Sequence, residues 1–176
     1  MSALSVLYIV LPILAVSFCH ALEVVFTARR WASHHSASSD EAHQSLVNIL
    51  FRLSGMNMSA IVIAAVVGFL AVLLSTAALF AGGLWAELVW TTVFMAYSVC
   101  ALINLVRAVT IKGYVPGLVT SIISVPLIAY TAYSLSLVWP WWEMLLFAIL
   151  GLVLAVAGHF IAQRIGRYST TISASL

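Results

Sequence analysis

Long apolar runs, broken by short polar turns, make up most of this chain. Five of them, near 3–27, 57–81, 86–108, 116–138 and 141–163, are long enough to cross a bilayer, which takes roughly 20 residues. The pattern predicts an all-α polytopic membrane helix bundle of about five transmembrane helices, a single domain over 1–176. Only one polar interruption has any size, about 28–56. It opens with Ser33-His34-His35-Ser36-Ala37-Ser38-Ser39, and Ser38 and Glu41 have the spacing of a capping box. Beyond it, Leu46, Val47, Ile49, Leu50, Phe51 and Leu53 fall on one side of a helix, with Glu41, Gln44, Ser45, Asn48 and Arg52 on the other. An amphipathic helix lying on the membrane surface is expected there.

Charge orients the bundle. Arg29, Arg30 and Arg52 lie between the first and second spans, Arg107 and Lys112 between the third and fourth, and Arg164 and Arg167 after the fifth. The remaining junctions carry no cation. Cytoplasmic loops hold the excess of Lys and Arg, so the N-terminus is expected outside and the C-terminus inside, with 28–56 as a cytoplasmic loop. With 64% hydrophobic and 7% charged residues, composition excludes a soluble domain. A net charge of +2 gives no reason to expect a nucleic-acid partner. The first span lacks the basic start of a cleavable signal peptide. Trp85, Trp90, Trp139, Trp141 and Trp142 are expected in an outer interfacial belt, and Trp31 and Tyr114 at the inner interface. Cys19 and Cys100 sit inside spans and read as free, buried thiols. Pro116 and Pro140 stand at span starts, and Pro12 and Pro126 lie within spans. Gly151, Ala155, Gly158 and Ala162 share one face of the fifth span, as Ala64 and Gly68 do in the second. These faces allow close helix contact, within the chain or with another copy.

Polar groups inside a bilayer are costly, and each one is a functional hypothesis. His20, Glu23, Asn104, Arg107 and His159 all fall at similar depth in the inner half of their spans. His20 and Glu23 are three apart and share a helical face. Three readings are open. His20, Glu23 and His159 could bind a zinc or iron ion. His20 and His159 could ligate a haem. Or Glu23 pairs with Arg107 and the cluster only fixes the bundle. His34, His35 and His43 read as solvated loop residues.

Leu11-Pro12 through His20-Ala21-Leu22-Glu23-Val24, with Trp31 after it, resembles the opening of the HXXEE-domain membrane proteins. Asn104-Leu105-Val106-Arg107, followed by Tyr114-Val115-Pro116-Gly117-Leu118-Val119-Thr120, resembles that family's second signature, in which His-x-x-Gln precedes Tyr-x-Pro-Gly-x-x-Thr. The resemblance implies a small integral protein of the bacterial cytoplasmic (inner) membrane with a family-like turn at Tyr114, Pro116, Gly117 and Thr120. This chain departs from the motif at Val24, where the family has its second Glu, at Asn104 (His) and at Arg107 (Gln). If the motif were a metal site, two ligands would be lost and a cation gained.

The reading that fits these features is a non-catalytic helper or subunit of a membrane assembly, in contact with the lipid bilayer and with other membrane proteins, or with itself through Gly151, Ala155 and Gly158. On this reading, Glu23 and Arg107 should tolerate joint replacement better than either alone. The alternatives are a membrane-embedded, metal-dependent enzyme acting on a lipid or apolar substrate, and a small transporter. The polar cluster lies off the midplane, where transporter sites sit.

Overall fold

The computed structural model describes residues 3–36 and 58–173. The described residues form five helices: α1 (Ala3–Ser36), α2 (Met58–Ala81), α3 (Leu84–Ile111), α4 (Leu118–Ser136) and α5 (Trp141–Ser173). Each contains a stretch long and apolar enough to cross a membrane, and these stretches are Leu7–Ala28, Ala60–Ala81, Leu84–Ile111, Leu118–Ser136 and Trp141–Ile165. They fall within a few residues of the expected spans. Helices are required here because lipid offers no partner to a backbone amide, so each span must satisfy its own. The amphipathic helix expected after Ser38 lies outside the described residues. α1 continues past the end of its apolar stretch through Arg29, Arg30 and Trp31 to Ser36, so the first residues of the expected 28–56 segment are helical.

The turns are short. Gly82 and Gly83 join α2 to α3 with φ of 84° and 100°, backbone that costs glycine nothing. At the other end of the bundle α3 closes on Lys112, which is left-handed at φ 51°. Its N–H bonds Val109 O, while the Gly113 N–H reaches back to Ala108 O at 3.1 Å. This Schellman-type closure turns the chain sharply toward α4.

α1 packs on α2 and α4, and α3 packs on α2, α4 and α5. α1 and α3 are therefore held mainly through their shared neighbours. Away from the 112–117 turn, the core is Ile9, Val10 and Ile13 of α1 with Val72, Trp90, Phe94 and Leu135. A second small core at the turn end gathers Trp31, Ile111 and Val115. The outer surface of the spans is mostly apolar, with Phe26, Leu74 and Val109 each at least two-thirds exposed.

Several expectations are corrected. Trp85, Trp141 and Trp142 are exposed as a belt requires, but Trp90 is buried, stacked on Phe94 with its indole N–H on Thr76 Oγ1 at 3.3 Å. Trp31 is buried too, packed with Ile111 and Val115 at the 112–117 turn. Cys19 and Cys100 are free but exposed rather than close-packed in the core, Cys100 on the wall of a cavity between α1, α2, α3 and α5. A thiol is small and apolar enough to sit at either kind of surface. Gly151 packs within the chain, since a Cβ there would lie 2.7 Å from the Ala96 backbone nitrogen of α3.

Candidate functional site: a carboxylate lock beside an intramembrane cavity

His20 and Glu23 lie one turn apart on α1, and both face the start of α4. The first amides of any helix lack intrahelical acceptors and carry partial positive charge. At α4 the side chain of Glu23 meets that need. Its Oε1 accepts from Val119 N–H (3.1 Å) and from the Tyr114 hydroxyl (2.7 Å). Its Oε2 accepts from Thr120 N–H (2.8 Å) and Thr120 Oγ1 (2.6 Å). A carboxylate on a helix N-terminus is a favourable anion site. Here the anion comes from a helix distant in sequence, so the contact fastens α1 to α4.

The imidazole continues the network. His20 Nδ1 lies 2.9 Å from Thr120 Oγ1. The Thr120 hydroxyl has one proton and points it at Glu23, so Nδ1 is the donor to Thr120; this tautomer is inferred from the network. The Trp31 indole N–H bonds the Tyr114 carbonyl, closing the seam at the end of α1. Gly117 has φ 87°, and a Cβ there would collide with the His20 ring. Glycine is thus required at this position twice over, for its backbone and for the close approach. Partial burial first, then donation to the neighbouring Glu23 carboxylate, holds the Tyr114 phenol above the usual tyrosine range, outweighing the opposing contact with Thr27.

A buried polar seam joins α3 to α4 beside this lock. The Tyr97 hydroxyl is 2.6 Å from Ser124 Oγ, and Asn104 Nδ2 is 3.4 Å from Ser121 Oγ. Ser121 and Ser124 bond back to Gly117 O and Thr120 O, each at 2.6 Å. Sequence reasoning missed Tyr97, Ser121 and Ser124. Thr120, Ser124 and Thr131 recur at steps of four and seven on α4, which is the signal that could have found this face.

Between α1, α2, α3 and α5 lies a cavity of about 520 Å³. His20, Asn104, Arg107 and His159 line it, together with Val24 and Cys100. Four of the five expected polar residues therefore share one space, and Glu23 stands apart from it in the lock. The expected Glu23–Arg107 pair is not formed: the carboxylate bonds the 114–120 turn, while Arg107 faces the cavity. Nor is the trio His20, Glu23 and His159 assembled for a metal. Among the described residues no three His, Cys, Asp or Glu side chains are grouped to hold one, and both Glu23 oxygens are taken by α4.

Of the residues that keep the resembled motif, Glu23, Tyr114, Gly117 and Thr120 form the lock with His20. The three departures, Val24, Asn104 and Arg107, line the cavity, as do the kept residues His20, Trp31 and Pro116. No curated protein and no solved structure matches the chain significantly. The family described as "Protein of unknown function with HXXEE motif" matches residues 11–132. That stretch is well over half of the chain and holds both halves of the lock, and the protein belongs to the HXXEE family.

Proposed function

We propose that this protein is a non-catalytic integral membrane protein, a helper or subunit of a membrane assembly, in which the His-x-x-Glu motif is a structural fastening rather than a reactive centre. The supporting observation is the commitment of Glu23. Each carboxylate oxygen accepts two hydrogen bonds from α4 or the turn before it, which leaves it poorly placed to move a proton or hold a cation. We place the protein in a bacterial cytoplasmic membrane with its N-terminus outside, on the distribution of its Lys and Arg residues. The partner is another membrane protein, held through the apolar outer faces.

A second reading, an enzyme using a metal on an apolar substrate, draws on His20 and His159 lining the same cavity. One experiment separates them: elemental analysis of the detergent-purified, tag-free protein and of His20→Ala. The fastening role predicts far less than one metal per chain in both samples, with a lower melting temperature in His20→Ala. A near-stoichiometric metal that is lost in His20→Ala would establish the enzyme reading instead.

A further inference from the structure

The cavity contains a cation, Arg107, with no carboxylate partner among the described residues. Arg107 is half-buried on its wall. The chain has five acidic residues. Glu23 is bound to α4, and Glu87 and Glu143 sit in the first turns of α3 and α5, at the opposite end of the bundle. Asp40 and Glu41 lie outside the described residues. Among the described residues, then, no carboxylate pairs with Arg107. A guanidinium inside a membrane is costly unless it is paired.

The rest of the wall is made for hydrocarbon. It is mostly aliphatic, and small residues open it: a Cβ at Gly68 on α2 or Gly158 on α5 would meet nothing within 4 Å. On α3 the wall extends from Arg107 to Val93, about 21 Å along the axis at 1.5 Å per residue. The cavity therefore runs from the level of the 112–117 turn toward mid-bilayer. Its volume is that of a pocket burying one small molecule, roughly 300–1,000 Å³.

We infer that this cavity binds one single-chain amphiphile with an anionic headgroup, the headgroup on Arg107 and the alkyl chain lying toward Val93 along the Gly68 and Gly158 faces. Carboxylate and phosphate heads share the chemistry that recognises a guanidinium, since both accept paired N–H bonds. The inference goes beyond the helper role, because a protein of either proposed class would bind the amphiphile in the same way.

The test uses the full chain in dodecyl maltoside, titrated with palmitate, 1-palmitoyl-lysophosphatidate and hexadecanol, and read by thermal unfolding and native mass spectrometry. One anionic probe should bind one per chain and at least about tenfold tighter than hexadecanol; the tighter of the two identifies the headgroup. Arg107→Gln should erase that preference, and Arg107→Lys should keep part of it. Gly68→Leu and Gly158→Leu, which fill open space, should weaken all three probes by about tenfold or more while the protein still unfolds cooperatively. Equal binding of hexadecanol and the anions, a preference that survives Arg107→Gln, binding that survives both leucine variants, or no binding at all would each overturn the inference. Metal content measured on the same samples tests the helper role separately.

Discussion

The two sides of α1 solve the same problem in opposite ways. On the side facing α4, every polar group is matched: Glu23 has four donors, His20 has Thr120, and Trp31 has the Tyr114 carbonyl. On the side facing α3, the walls stand apart around a cavity lined by His20, Asn104, Arg107 and His159. A satisfied buried network is rigid and sensitive to single changes, whereas a cavity tolerates substitution of its lining.

The comparison can be broken most severely at Gly117. Gly117→Val places a branched side chain at φ 87° and into the His20 ring, and should cost about 3 kcal/mol or more, seen as loss of a cooperative melt or of detergent-stable protein. Next is Glu23→Gln, which keeps the shape but removes the charge from four hydrogen bonds. A loss of about 1.5–3 kcal/mol is expected in detergent unfolding. On the cavity side, Arg107→Gln should leave stability unchanged or raise it by about 1 kcal/mol or more, since it removes a cation with no carboxylate partner among the described residues, and its effect should add to that of Glu23→Gln, because the two groups are not paired. A joint replacement milder than the sum of the two single effects would restore the pair expected from sequence.

The smallest effect is pH-dependent. The folded Tyr114 phenol is held above its ordinary value, so its contribution is complete below the unfolded tyrosine value near about 10. It is lost as pH rises through the folded value. Melting temperature should therefore show no Tyr114-dependent change through neutral pH, then fall above about pH 10. Tyr114→Phe should lack that alkaline component in a pH series of melts.

The spans were legible in the sequence because hydropathy and helix length are local properties. The lock was half legible. His20 and Glu23 share a face by spacing alone, and the Tyr114–Thr120 run marks a turn opening a helix. That the two meet is a contact across nearly a hundred residues, and nothing in either segment names the other. Pairing Glu23 with Arg107 follows from charge alone, but opposite charge is not the only way to settle a buried carboxylate, and the free amides of a helix start serve as well. Trp90 departs from the expected belt for a similar reason. A tryptophan near a span end suits the interface, but one with a hydrogen-bond acceptor close by, such as Thr76, can be buried instead.

The central claim is that the Glu23 carboxylate fastens α1 to the first turn of α4. A double-mutant cycle tests it most directly: unfolding free energies in detergent for wild type, Glu23→Gln, Thr120→Val and the pair. The lock predicts a coupling of about 1–3 kcal/mol between the two positions. Effects that add to within about 0.3–0.5 kcal/mol would contradict it, and the motif would then need a role other than holding these two helices together.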